Sequence, residues 1–323
     1  MPKYLNVSFV MLSACILLFY IACTDSKPNL EEPSLSIKED GSTIQIQFDG
    51  QTILNYFIAT QLVPDTLAEY YKRSGFIHPL KTLAGKTLTD GFPFDHAHQH
   101  GIFNAWTKTT FRNTEIDFWN QQDQLGTVRH KRVIDIKPSV PSFRVELEHL
   151  AYVNNDTVIV LEEIWDISAI LKDNYYVFDL TSTQTCVSED SLILNKYLYG
   201  GLAFRGSAEW NVENNYDSLC YFTTSDKLNQ VEGNHTRPKW ASMYGKIDDK
   251  LAGIAIIPHP SNLRYPSHIR VHSSMPYFCF NPTVDSDFIF NSGMELISKY
   301  RFVVFDGDLN KNTVENELTN WTL

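Results

Sequence analysis

From Thr43 to Phe305 the chain repeats one pattern: apolar and polar residues alternate in "TIQIQF" (43–48), "FRVELEHL" (143–150), "TVIVLEEIW" (157–165) and "ISKYRFVVF" (297–305). Alternation at period two puts every second side chain on one face of a strand, and these runs are rich in the Val, Ile, Tyr and Phe that suit a pleated surface. Turn formers such as "VNND" (153–156) and "IDDK" (247–250) separate them. Helical periodicity is scarce: "DTLAEYYKR" (65–73) is one short candidate, and the tail predicts a closing helix over "VENELTNW" with Thr313 as its cap. The expected fold class is all-β, a large antiparallel β-sandwich forming a single domain over residues 43–323.

The first residues constrain the compartment. Lys3 precedes the apolar run "SFVMLSACILLFYIAC" (8–23), whose uncharged core of about fifteen residues is short of the roughly 20 that span a bilayer. Residues 1–22 are expected to be a signal peptide, and "YIAC" is similar to a bacterial lipobox, which makes Cys23 the expected lipidation site. The polar stretch "TDSKPNLEEPSLSIKED" predicts a flexible tether over 23–42. These features imply a lipid-anchored protein of the bacterial cell envelope, touching the membrane through that anchor only.

Of 27 Lys and Arg, only Lys3 lies in the first 22 residues, leaving 26 basic against 38 acidic residues. An acidic surface of that kind argues against nucleic acid as a partner. Beyond Cys15 and Cys23 the cysteines are Cys186, Cys220 and Cys279, enough for at most one internal disulfide and without close-spaced zinc pairs.

The densest chemistry is "FDHAHQHGIFNAW" (94–106). On a strand His96, His98 and His100 would share a face, with Asp95 on the other, at about 6.6 Å between successive same-side positions. The outer pair would be about 13 Å apart, too far for one ion bound at about 2.0 Å, although two neighbours could hold a divalent metal with a third ligand from His130, His149, Glu162, Glu163, His235 or His259. Proton transfer makes fewer demands: an imidazole titrates near neutrality and exchanges protons with a substrate oxygen, with Asp95, Asp117, Glu163 or Glu209 to set its tautomer.

Aromatic residues mixed with hydrogen-bonding groups form a second constellation in "DFWNQ" (117–121), "RGSAEWN" (205–211) and "TRPKWASMYG" (236–245). Flat apolar faces stack on sugar rings while amides and guanidinium groups bind hydroxyls, although tryptophans also fill sandwich cores. In "GGLAFRG" (200–206) the glycines lack phosphate-loop spacing, and Arg205 is placed either to clamp a ligand or to bridge to an acid. In "IIPHPSNLRYPSHIRV" (256–271) a proline-stiffened loop carries His259, Asn262 and Arg264, a pocket wall or simply a turn.

Taken in order, "FDHAHQHGIF", "DFW", "GTVRH", "GGLAFR", "ASMYG", "GIAIIPHPSNLRYP" and "YRFVVFDG" resemble the PmoA-like family of unknown function, over about residues 75 to 307. Asp95, His96, His98 and Gly101 match its first motif, while Ala97, Gln99 and His100 depart from it. Asp117, Phe118, Trp119, His130, Arg205, His259, Asn262 and Arg264 match later ones. That family has been labelled "methane oxygenase", an activity that would need several spanning helices after the signal. The resemblance implies a sandwich similar to galactose-mutarotase-like proteins and a role near carbohydrate breakdown.

The expectation is therefore a carbohydrate-active hydrolase, lyase or epimerase. His98 would be acid or base, His96 its neighbour in the same role, and Asp95 an anchor. Trp119, Asp117, Arg205, His130, His259, Asn262 and Arg264 would bind a sugar or oligosaccharide. No cofactor is required by this scheme. The alternatives are a non-catalytic glycan-binding lipoprotein, or a metal-dependent enzyme using the pair His96 and His98.

Overall fold

A computed structural model of the chain describes Met1, residues 34–211 and residues 220–322. The expected signal peptide, Cys23 and most of the expected tether lie outside the described residues. From Pro33 onward the chain is one unit.

Each alternating run becomes a strand. One antiparallel eight-stranded sheet has the order Leu35–Glu39, Thr43–Phe48, Gln51–Phe57, Ile77–Leu80, Ile102–Ala105, Gly201–Arg205, Tyr277–Asn281, His268–Val271. The second has the order Cys220–Thr224, Ala241–Ile247, Lys250–Pro258, Glu295–Asp306, Tyr175–Cys186, Asp156–Leu171, Ser142–Val153, Gly126–Lys137. A four-stranded sheet holds Phe288–Phe290, Leu192–Leu194, Thr109–Phe111 and Thr114–Ile116. The fold class is all-β, as the alternation requires.

The two large sheets share a core. Tyr56 of the first packs on Phe143 and Trp165 of the second, and Phe278 and Phe280 meet Phe222 and Tyr300. "VNND" and "IDDK" close tight hairpins with Asn154, Asn155, Asp248 and Asp249 all at positive φ, the conformation that short polar side chains tolerate in such turns. The buried interior also holds a polar centre. The Glu163 carboxylate accepts from His149 Nε2 (2.7 Å), Trp165 Nε1 (2.7 Å), Ser182 Oγ (2.5 Å) and Asn104 Nδ2 (2.8 Å). Burial pushes that carboxyl up, and the His149, Ser182 and Trp165 donors outweigh it and hold it below its ordinary value.

Three local expectations change. The first sheet begins at Leu35, so its edge strand takes up residues assigned to the tether. "DTLAEYYKR" forms only a 3-10 turn at Glu69–Tyr71, because the chain leaves it at once to bury Arg73 and turn at Gly75 with φ 70. The closing helix runs Lys311–Thr322, and Asn310, not Thr313, caps it by accepting from the amides of Asn312 (3.1 Å) and Thr313 (3.4 Å). The earlier start lets Val314, Leu318 and Trp321 cover Val177 and Val303 on the outer face of the second sheet. Cys186, Cys220 and Cys279 are free thiols.

Burial depresses several imidazoles from the ordinary 6.5: His78, His98 and His130 to about 4 and His100 to about 3. An unfolded chain takes up those protons near 6.5, so between there and about 4 it binds more protons than the folded chain and stability is lost as pH falls. The expected outcome is a thermal midpoint that drops steadily on acidification across this window, with a shallower slope in His100→Gln, read by calorimetry.

Candidate functional site

The histidine segment is a turn, not a strand. Gln99 N donates to His96 O at 2.9 Å, and strand geometry starts only at Ile102. Gly101 makes the turn possible: its φ is 60, and a Cβ there would lie 2.3 Å from the Ile77 carbonyl oxygen. The turn brings the His96 and His98 rings together, centroids 5.6 Å apart at 69°. It also corrects the opposite-face placement of Asp95, whose Oδ2 lies 3.4 Å from His96 Nδ1, long for a hydrogen bond but close for a charge partner. His100 goes the other way, into the core, with Nδ1 donating to Gly91 O (2.9 Å) and Nε2 2.6 Å from the Gln121 side chain.

Strand register fixes the floor. Phe103 lies opposite Ala203, Ala203 opposite Cys279 and Arg205 opposite Tyr277, so these side chains share one face of the first sheet. Their neighbours Phe204, Phe278 and Phe280 pack inward, which leaves that face turned away from the second sheet. Trp119 covers it, with its ring 4.7 Å from Phe103 and 6.2 Å from Tyr277, and Tyr199 adds a second plate 6.2 Å from Tyr277. Above them opens a cleft of about 290 Å3 lined by His96, His98, Gln99, Thr107, Trp119, Asn120, Gln122, Tyr197, Tyr199 and His272.

The remaining sequence-predicted residues divide by what they touch. Arg205 is fully buried behind the cleft, with Nη2 on Asp95 Oδ1 (2.8 Å) and Nη1 on Gln99 Oε1 (2.9 Å) and Met275 Sδ (2.8 Å). It does not line the cleft, which corrects its expected sugar-binding role: it bridges to an acid instead. Burial pushes the Asp95 carboxyl up, yet His96 and Arg205 together hold it well below the carboxylate range. Asp117 is likewise buried. Its carboxylate accepts from Thr107 Oγ1 (2.6 Å), Asn120 Nδ2 (2.8 Å) and the amides of Trp119 (2.9 Å) and Asn120 (2.7 Å), so it positions three lining residues and has no oxygen left for a ligand, which corrects its expected sugar-binding role.

His130, His259, Asn262 and Arg264 are not brought to the cleft, which corrects their expected ligand-binding role. His130 Nδ1 pairs with the Tyr56 hydroxyl (2.9 Å). His259 packs against Trp321 of the closing helix at 5.0 Å. Asn262 exchanges two hydrogen bonds of 2.8 Å with the Lys299 backbone, and Arg264 donates to the carbonyls of Pro282, Ser286 and Asp287. These groups hold loops to strands. Among the described residues no three His, Cys, Asp or Glu are arranged to hold a metal ion, and His149 and Glu163, two of the possible third ligands, are bonded to each other inside the sandwich.

Electrostatics favour an uncharged His98. Burial first, then His96 and Arg205, push His98 down to about 4, so it is a free base at neutral pH. Gln122 Oε1 in the wall is a buried polar atom without a hydrogen-bond partner among the described residues. Such a group calls for a polar occupant. Sequence reasoning missed His272, Tyr197, Tyr199, Gln99, Asn120, Gln122 and Thr107; only Asn120, next to Trp119 in "DFWNQ", carried a local signal.

Replacing Asp95 by Asn leaves a fully buried guanidinium without its counter-charge, with an expected loss of about 3–5 kcal/mol. Arg205→Met combined with Asp95→Asn should cost less than the sum of the single changes in a chemical-denaturation cycle.

None of the curated proteins matches the chain. Solved structures resemble it weakly. A galactose mutarotase related enzyme from Lactobacillus acidophilus aligns at 8% identity and TM-score 0.40 over 85% of this chain and 100% of that one. Heparan sulfate lyase HepC from Pedobacter heparinus gives 8% and 0.38 over 86% of this chain. The GH36 alpha-galactosidase AgaB from Geobacillus stearothermophilus gives 11% and 0.36 over 83%. The chain spans only 38% and 39% of the latter two, and all three likenesses concern fold alone. The family model for DUF6807, a family of unknown function, matches residues 43–319, and the chain belongs to that family.

Proposed function

We propose that the cleft is a sugar site in which His98 and His96 move protons. The observation that carries this reading is the pair of imidazoles 5.6 Å apart in the wall of a cleft floored by Trp119 and flanked by Tyr197, Tyr199 and three amide side chains. Aromatic plates match the C–H faces of a sugar ring, and the amides of Gln99, Asn120 and Gln122 match its hydroxyls. At about 290 Å3 the space is at the small end of ligand clefts, which run from about 300 to 1,000 Å3, and suits one ring unit.

Among the described residues the lining contains no Asp or Glu, whereas the usual glycosidase needs two carboxylates flanking the bond. Proton transfer by imidazole favours the epimerase or lyase branch. His98, uncharged at neutral pH, takes a proton from a hydroxyl or C–H of the sugar. His96 returns one to an oxygen, with the Asp95 carboxylate behind its Nδ1 balancing the charge the ring carries meanwhile. A passive glycan-binding protein would use the same plates and amides without turnover. The PmoA-like resemblance adds fold, not oxygenase chemistry, to this reading. The "YIAC" pattern supports anchoring in the cell envelope through Cys23.

Incubating the mature domain with a panel of aldoses, uronic acids and oligosaccharides, read by NMR and mass spectrometry, is expected to reveal a converted sugar. His98→Ala should lower its turnover by about 10²–10⁴-fold, and on acidification kcat/KM should hold until pH drops toward about 4. Full turnover in His98→Ala would refute the role, and binding without any product would favour the passive protein. Cys23→Ser should move the protein from the membrane fraction to the soluble one.

A further inference from the structure

His272 ends the edge strand His268–Val271 and opens the hairpin to Tyr277–Asn281. Its ring lies 6.0 Å from that of His96, inside the cleft, and nothing in the scheme above uses it. Resting on the sugar-site reading, we infer that His272 is a third working residue, held as the Nε2–H tautomer so that it donates a hydrogen bond to an oxygen of the bound sugar.

The tautomer follows from the partner of the other nitrogen. The Ser274 backbone N–H lies 3.3 Å from His272 Nδ1, with the Ser274 hydroxyl 3.5 Å from the same atom. An amide N–H has no lone pair to accept with, so Nδ1 carries the lone pair and Nε2 the proton. The hairpin that holds this geometry is clamped at two points. Gln230 Nε2 donates to the His272 carbonyl and reaches that of Met275 at 3.4 Å, and Met275 Sδ meets Arg205 Nη1. Burial, then Arg270, His96 and Arg205, push the His272 imidazole down, and Asp95 opposes them weakly.

An uncharged imidazole gives a hydrogen bond without giving up its proton. It therefore stabilises negative charge growing on a substrate oxygen while His98 and His96 carry the protons. This divides the three rings into a base, an acid and a fixed donor.

The test is the 15N imidazole spectrum of the full mature domain at pH 7, with His272 assigned by its loss in His272→Gln. A protonated Nε2 with a bare Nδ1 is expected; an Nδ1–H tautomer or a doubly protonated ring overturns the inference. On any sugar that the wild type converts, His272→Phe should lower kcat by about 10–10²-fold with KM changed less, and His272→Gln, whose amide still donates, should recover part of it. Wild-type kcat in His272→Phe would also overturn it. No turnover of any sugar by the wild type would instead count against the sugar-enzyme reading, while the tautomer would still decide the state of His272.

Discussion

The candidate site depends on one buried cation. Arg205 ends a central strand of the first sheet, and its guanidinium reaches both loops that carry the cleft histidines: Asp95 and Gln99 in the turn, Met275 in the hairpin. A fully buried guanidinium is costly unless paired, so the Asp95 carboxylate is held in place by the same demand that keeps Arg205 folded inward. Its planar fork addresses several acceptors at fixed angles, which an ammonium group cannot do. The backbone joins in: Arg205 N donates to Gly101 O at 2.7 Å, and Asp90 N to Arg205 O at 3.3 Å. His272, far from His96 and His98 in sequence, is their neighbour because of it.

A second polar centre lies on the inner side of the same sheet. Asn104 reaches inward to Glu163, while Phe103, its neighbour in the strand, faces outward under Trp119. One short strand therefore connects a satisfied carboxylate in the core to the plate that floors the cleft. Four donors around Glu163 make that interior specific, since each loses its partner if the sheets slip.

The fold was legible in the sequence because the period of the side chains and the Asn and Asp turns are local properties. The site was legible only in part. His96 and His98 do lie side by side, but in a turn rather than along a strand, because Gly101 at positive φ breaks the alternation before Ile102. His130, Asn262 and Arg264 have the chemistry of ligand binders and spend it on Tyr56, the Lys299 backbone and the carbonyls of 282–287. His272 gave no local sign, since its place in the cleft arises from a hairpin brought up beside the histidine turn by sheet pairing.

The central claim, that Arg205 assembles the three-histidine cleft, is tested most directly by the imidazole spectrum of Arg205→Lys. The ammonium keeps the charge and loses the fork, so the signals of His96, His98 and His272 should all move, while those of His149 and His259, held by Glu163 and by Ser261 and Trp321, stay in place. Three unmoved cleft signals in a folded variant would contradict the account.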